Sequence, residues 1–322
     1  MKQLIKELKK SKRVAIIAHI SPDPDCLSSM TALSCILRQF GKTTKLFVDT
    51  DKKRDIFDYY GLSEGYNDDL NIDEFDTIVT VDLPSIRQSG KYYEGISNFD
   101  NVLSIDHHVS RDLPAKYKYV EAERSSCSEI IFDLAVKMGA KITPEIASYI
   151  YAGIIGDTNC FQNDNTTADT FRVASECLKF GADKNKIVFL FFKQQTLSEI
   201  NLRKLGYQNM KMKNQVSYVI FTLKMFKECG VDDCPMFVNE MLNTDDNKMA
   251  FVIKQKEKNT YTVSLRSKEG YNVEKIAETL GGGGHIQAAG CAFTGAPVRH
   301  AELIYKECLK EIQEVDSKKV KG

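Results

Sequence analysis

Residues 14–25 read Val-Ala-Ile-Ile-Ala-His-Ile-Ser-Pro-Asp-Pro-Asp. The unbroken apolar run, rich in β-branched side chains, predicts a strand over 14–19 buried on both faces, as in parallel sheets. His19 stands at its carboxyl end. Two prolines stiffen the loop that follows, so a helix is expected only past Asp25, over 27–40, with Gly41 as its stop. In an extended loop residues two apart point to one side, and Asp23 and Asp25 are expected to address a common centre.

Working outward, the same alternation recurs. Residues 45–49, 77–82 and 102–106 read as further strands, and 126–138 as a helix ended by Gly139. Thr143-Pro144 opens another helix running to Gly156, with a capping hydroxyl and proline at the first helical position. Strands separated by helices imply an α/β fold with a doubly wound, mainly parallel sheet. Three strands end in His19, Asp82 and Asp106, and open α/β sheets carry their sites at strand carboxyl ends. Residues 166–206 are helical in pattern, with Gly181 as a break. Further strands are then expected over 216–222, 249–254 and 261–266, and helices over 273–280 and 297–314 flank a glycine-rich loop. This predicts a first domain over 1–193, a linker over 194–213, and a smaller α+β domain over 214–322 whose tail, 316–322, is frayed.

The 322 residues fit two domains of ordinary size. Hydrophobic residues at 43% and charged residues at 27% exclude a disordered or fibrous chain. Lys plus Arg and Asp plus Glu tie at 44 each, so no long polyanion groove is expected, only a local site. Residues 1–13 are basic and polar and the apolar run after them is too short for a signal peptide. Nothing approaches the roughly 20 apolar residues that span a bilayer. Nine scattered cysteines without a Cys-x-x-Cys pair are expected as free thiols in a cytoplasmic protein.

Hard carboxylate oxygens mixed with imidazoles suit Mn²⁺ or a similar divalent ion. Asp82 and the run Asp106-His107-His108 close predicted buried strands, where a carboxylate is costly unless paired or metal-bound. Adjacent histidines diverge, so His107 and His108 are expected to do different jobs. Asp157 closes a helix ahead of a polar loop. Together these residues offer four carboxylates and two or more imidazoles on neighbouring strand ends. That is enough for two metals about 3.5–4 Å apart sharing a bridging carboxylate. The competing reading of any one of them is an ordinary solvated turn or surface histidine, weakened here because the chain holds only five histidines. Asp49 and Asp51 lack the glycine and distal glutamate of a calcium loop, and 67–76 reads as a solvated loop.

Gly281-Gly282-Gly283-Gly284-His285 could converge backbone N–H groups on an anion, or be a flexible hinge. It is neither a P-loop nor a dinucleotide fingerprint. His285 at its end, and Arg266 at the end of a predicted strand, favour phosphate binding.

The ordered set resembles the DHH phosphoesterase family with its DHH-associated C-terminal domain, over about residues 12–295. The residues that carry the resemblance are His19, Asp23 and Asp25, then Asp82 with Arg87, Asp106-His107-His108, Gly156-Asp157-Thr158, and Gly282-Gly283-Gly284-His285. The layout is most similar to the nanoRNase and 3′-phosphoadenosine-5′-phosphate phosphatase subgroup. The resemblance implies a site in the cleft between the domains and two divalent ions, with Mn²⁺ favoured. One ion would take His19, Asp23 and Asp82; the other Asp25, Asp82, His107 and Asp157. Asp106 would orient a histidine, as metal-bound imidazoles commonly require. His108 would meet the scissile phosphate, and Arg87, Arg266, Gly282, Gly283, Gly284 and His285 would bind substrate. Two departures stand out: Leu83 where the subgroup often has threonine, and Asn159 where glycine is frequent.

What the resemblance implies is metal-dependent hydrolysis of short oligoribonucleotides and nucleotide 3′-phosphates. A cyclic-dinucleotide phosphodiesterase, another DHH phosphatase and a non-catalytic nucleotide- or RNA-binding module are the alternatives. The expected partner is a short nucleotide phosphate, with no membrane. The sequence leaves a homodimer open. Cys26 and Cys160 flank the expected ligands, with packing as their first expected role.

Overall fold

Strand β1, Arg13–Ile17, leads a five-stranded parallel sheet completed by β2 (Thr43–Phe47), β3 (Thr77–Val81), β4 (Val102–Asp106) and β5 (Tyr117–Val120). Their order is β2-β1-β3-β4-β5. This computed structural model describes residues 1–20, 22–50, 58–62, 66–108, 112–234 and 236–319; Ser21, Asp51 and the last three tail positions lie outside them. Alternation along β1 explains why it reads as uniformly apolar. Val14 and Ile16 enter one core, and Ala15 and Ile17 enter the other, so both sheet faces are covered. The helices Pro24–Gln39, Cys127–Met138, Pro144–Asp157 and Ala168–Lys179 pack on the first face. Ile86, Tyr92 and Ile96 close the second.

The chain leaves β1 for β2 on one side and returns to β3 on the other. That reversal is a topological switch point, where a crevice opens at the carboxyl ends of the strands. His19 follows β1 and Asp82 follows β3, so the order of strands delivers both to this crevice.

Strand β5 is an addition to the four expected. It is short, alternates half-buried tyrosines with Lys118 and Val120, and lies at the sheet edge, where burial writes little pattern into a sequence. The Pro24–Gln39 helix begins earlier than expected. Asp23 is its N-cap, accepting the Cys26 N–H at 3.0 Å, and Pro24 occupies the first helical position, where its missing N–H costs nothing.

The chain divides into two units, Met1–Gln194 and Gln195–Gly322. Residues 194–213 are not a linker. They hold the helix Leu197–Asn209, opened by a Thr196–Glu199 capping box, and strand β6, Lys211–Lys213. Leu202 of that helix is buried in the core of the second unit. The second sheet adds β7 (Val216–Phe221), β8 (Met249–Gln255), β9 (Thr260–Ser267), β10 (Gly283–His285) and β11 (Ala288–Thr294), in the order β10-β11-β9-β8-β7-β6. Only β7 and β8 run parallel. The final helix, Pro297–Lys319, lays Ala301, Ile304, Cys308 and Ile312 on one face of this sheet, so residues 316–319 are helical where a frayed tail was expected. No helix among the described residues is long and apolar enough to cross a membrane.

Candidate metal centre

Asp82 follows β3 in the left-handed region, at φ +51°, a conformation that aspartate and asparagine tolerate better than most residues. Its N–H donates to the Ile105 carbonyl at 3.0 Å, which ties it to β4. The side chain is buried and faces three imidazoles. Oδ1 lies 3.4 Å from His107 Nε2 and 3.4 Å from His108 Nδ1, and Oδ2 lies 4.0 Å from His19 Nε2. Asp23 Oδ2 is 3.6 Å from His19 Nε2, and Asp157 Oδ2 is 3.6 Å from His107 Nε2. Asp82 therefore stands between two clusters, one around His19 and one around His107.

Asp23 and Asp25 do not share a side of an extended loop. Because the helix starts at Pro24, Asp23 stays at the cap beside His19, while Asp25 turns into the fold. There its Oδ2 accepts the Cys127 N–H at 2.6 Å and its Oδ1 the Ser128 N–H at 3.0 Å. These are the first two amides of the Cys127–Met138 helix, whose dipole favours a carboxylate. Ligand atoms of Asp25, His107 and Asp157 lie within 4.8 Å of one another, as do those of Asp82, His107 and His108. A third such group joins His19, Asp23 and the Cys26 thiol.

The two neighbouring histidines are held differently. His107 Nδ1 lies 3.1 Å from the Arg124 carbonyl, and a carbonyl only accepts, so Nδ1 carries the proton and Nε2 faces the carboxylates. His108 Nδ1 lies 3.0 Å from Asp106 Oδ1, which also accepts the His108 N–H at 2.8 Å. Asp106 thus holds His108, whereas His107 answers to a backbone oxygen that no sequence signal announces. The polar loop after Asp157 adds Asn163 and Asn165. Their amides donate to the Asp157 carbonyl at 2.9 and 3.4 Å, steadying the end of its helix.

Electrostatics follow from this crowding. Burial, with Asp82 and Asp157 nearby, pushes the Asp25 pKa well up. Burial also raises Asp157, to about 7. Burial works against a charged His107, yet the carboxylates of Asp82 and Asp25 outweigh it and lift its pKa to about 9; Asp106 and Asp82 do the same for His108, to about 10. Asp82 is held below the usual carboxylate range despite its burial, because both imidazoles stabilise its charge. Asp82 Oδ1 and His107 Nε2 are nevertheless buried without a hydrogen bond. Buried polar atoms are seldom left so, and a hard acceptor beside an imidazole nitrogen fits a divalent cation.

Other expected residues are placed less tightly. Arg87 is exposed on the short helix Ile86–Tyr92, and none of these clusters includes it. Leu83 is fully buried in the second sheet-face core, an apolar use of the position. Asn159 has φ +46°, which suits asparagine as a replacement for glycine. In the second unit His285, Ala288 and Arg266 occupy one rung across β10, β11 and β9, so the two expected phosphate contacts share a register. Burial lowers the Arg266 pKa. Gly283 and Gly284 belong to edge strand β10 rather than to an open loop. A Cβ on Gly284, at φ +147°, would lie 2.5 Å from the Ala288 carbonyl, so close packing against β11 accounts for this glycine. Asp49 accepts the Lys91 N–H at 2.8 Å, and Asp76, in the expected solvated loop, caps the start of β1 through Lys12 and Arg13. All nine cysteines are unpaired.

Residues 13–154 match the DHH family, N-terminal domain, and residues 215–316 match the DHHA1 domain. The chain carries a DHH family N-terminal domain followed by a DHHA1 domain. This DHH protein is 28% identical over 315 residues to the bifunctional oligoribonuclease and PAP phosphatase NrnA of Mycoplasma genitalium, covering 96% of this chain and 97% of that one. It is 25% identical to the protein of the same description from Bacillus subtilis, over 90% and 92% of the two chains. Among solved structures, an exopolyphosphatase-related protein from Bacteroides fragilis superposes with a TM-score of 0.85 at 23% identity, covering 96% of each chain. RecJ from Thermus thermophilus, solved in complex with Mn²⁺, gives a TM-score of 0.53 at 18% identity, over 91% of this chain and 51% of its own. Both establish the DHH fold.

Proposed function

We propose that this DHH protein is a metal-dependent phosphoesterase that hydrolyses short oligoribonucleotides and nucleotide 3′-phosphates. The observation that carries the reading is the pair of buried, unbonded atoms Asp82 Oδ1 and His107 Nε2, set among carboxylates at the switch point. The names borne by the NrnA relatives support the substrate class. One ion is assigned to His19, Asp23 and Asp82, the other to Asp25, Asp82, His107 and Asp157, with Asp82 shared and Mn²⁺ as the preferred metal. When bound, such ions lower the pKa of water and offset charge on a phosphate ester.

The chain's own residues supply the rest. His108 is the more exposed of the pair, and with Nδ1 committed to Asp106 its Nε2 is left to meet a phosphate oxygen. A donor fixed in this way needs no reorganisation as charge develops there. Arg266, His285 and residues 282–284 are assigned to substrate phosphate, and Arg87 to a more peripheral contact. Unpaired thiols support a cytoplasmic location.

Metal uptake is expected to be linked to protons. The metal-free site holds His107 protonated below about 9 and Asp157 protonated below about 7. Both must lose their protons to act as ligands, so Mn²⁺ affinity should climb from pH 6 to 9, by up to ~tenfold per unit for each proton released. Calorimetry at pH 7 in buffers of differing ionisation heat should count more than one proton; an affinity flat across this range would contradict the assigned ligands.

The function itself is tested with a labelled five-nucleotide RNA, a linear diadenylate, a cyclic dinucleotide, pyrophosphate and 3′-phosphoadenosine 5′-phosphate, each with Mn²⁺. Mononucleotides released from the linear RNAs, with phosphate from the bisphosphate, are expected. Turnover of the cyclic dinucleotide or pyrophosphate alone would reassign the substrate, and tight nucleotide binding without turnover across several metals would make this a binding protein.

A further inference from the structure

The turn that leads into the Cys127–Met138 helix carries an arginine in an unusual setting. Four carboxylates surround the Arg124 guanidinium. Nε meets Glu121 Oε2 at 2.9 Å, Nη2 meets Asp133 Oδ2 at 2.6 Å, and Nη1 meets Asp169 Oδ2 at 3.2 Å and Glu129 Oε2 at 3.4 Å. Glu129 is fully buried in the first turn of the helix whose leading amides hold Asp25. Asp169 opens the Ala168–Lys179 helix, and Glu121 belongs to the turn itself. Arg124 therefore joins three segments through one planar fork of donors. Ordinary surface ion pairs contribute little, but this guanidinium is largely shielded and one of its partners is wholly so.

The main chain of the same residue performs a second task. The Arg124 carbonyl accepts the His107 Nδ1–H at 3.1 Å, and so aims His107 Nε2 at Asp82 and Asp157. The next carbonyl, of Ser125, accepts from Asn165, whose amide also reaches the Asp157 carbonyl. The turn thus reaches the assigned ligands from two directions, and its position depends on what grips Arg124.

We propose that Arg124 is a positioning residue of the metal centre. Its guanidinium, clamped by Glu121, Glu129, Asp133 and Asp169, fixes the Arg124 carbonyl and through it the orientation of His107, so that Nε2 is the ring nitrogen turned toward Asp82 and Asp157. This rests on the metal-centre reading and is independent of the substrate. An alanine at this position would leave the carbonyl in the chain but release the turn. A lysine would keep one positive charge among the acids while losing the fork.

The test compares wild type, Arg124→Ala and Arg124→Lys by nuclear magnetic resonance of the His107 Nδ1–H, assigned with His107→Gln, in metal-free and Mg²⁺-loaded protein. Mn²⁺ affinity is measured beside it by electron paramagnetic resonance, and folding by circular dichroism. In folded R124A the Nδ1–H signal should lose its protection from exchange, and Mn²⁺ affinity should fall by roughly 10–100-fold, the range typical of groups that orient a metal ligand. R124K should show the same changes in smaller measure, and it carries the same readouts if R124A does not fold. A folded variant that is merely less stable, with the Nδ1–H protected and Mn²⁺ affinity at the wild-type value, overturns the proposal. Wild-type protein that binds no Mn²⁺ would sink the metal-centre reading instead, while the exchange measurement would still decide the role of Arg124.

Discussion

Replacing Asp82 by asparagine should lower Mn²⁺-dependent hydrolysis by three orders of magnitude or more while the fold persists. Among the described residues Asp82 is the one carboxylate within 4.0 Å of His19, His107 and His108 together, so under the proposed assignment its loss weakens both metal positions at once. A metal clamp supplies several kcal/mol to a phosphoryl transition state, and about 4 kcal/mol corresponds to ~10³ in rate. Asparagine suits the control. It tolerates the left-handed backbone at φ +51°, matches the side chain in volume, and keeps the N–H donated to Ile105. Circular dichroism should match wild type, whereas Mn²⁺ titration should show affinity lost at both positions. Turnover within tenfold of wild type would rule out Asp82 as the shared ligand.

Gly153→Ala should damage both stability and the metal site, even though alanine is the better helix former by about 1 kcal/mol. Gly153 lies one turn before Asp157 in the Pro144–Asp157 helix. A Cβ there would sit 2.0 Å from Ser128 Oγ and 2.7 Å from Asp25 Oδ1. Neither atom can retreat cheaply. Ser128 Oγ is hydrogen-bonded to Ser29 Oγ at 3.0 Å, and Asp25 is held by two backbone amides. Overpacking of this kind costs about 1–3 kcal/mol, enough to outweigh the propensity gain. The first unit should therefore melt several degrees lower, at roughly 2–4 °C per kcal/mol. Displacement of Asp25 should weaken one metal position more than the other, a split that a purely global destabilisation would not produce. A variant more stable than wild type with unchanged metal affinity would show that the helices separate without harm.

Much of the candidate site is legible in the sequence, for a local reason. His19, Asp82 and Asp106 each close a run whose β-branched composition marks a buried strand, and site residues of open α/β sheets gather at such ends. The helix starts at Pro24 rather than past Asp25 because proline restricts the residue before it and not itself. Asp23 stays extended as the N-cap, and Pro24 is welcome at the first helical position. The result separates Asp23, beside His19, from Asp25, on the amides of Cys127 and Ser128. The glycine run misled in a different way. A glycine required for backbone freedom and one required by a close neighbour look alike in sequence, and Gly284 faces the Ala288 carbonyl of β11. Residues 197–209 looked like a connector, but Leu202 is drawn into the second core.

By itself the sequence determined the α/β class, the order of the acidic and histidine residues, and their hard-donor chemistry. These depend on residue type and short-range periodicity, which the chain carries locally. The tertiary structure alone decided which ring nitrogen of His107 faces the carboxylates, which histidine Asp106 holds, and how the guanidinium of Arg124 joins three segments. Those contacts link positions up to 45 residues apart, from Arg124 to Asp169, and pass partly through a backbone carbonyl. Every residue has such a carbonyl, so no side-chain pattern can signal which one will be used. Long-range packing makes that choice.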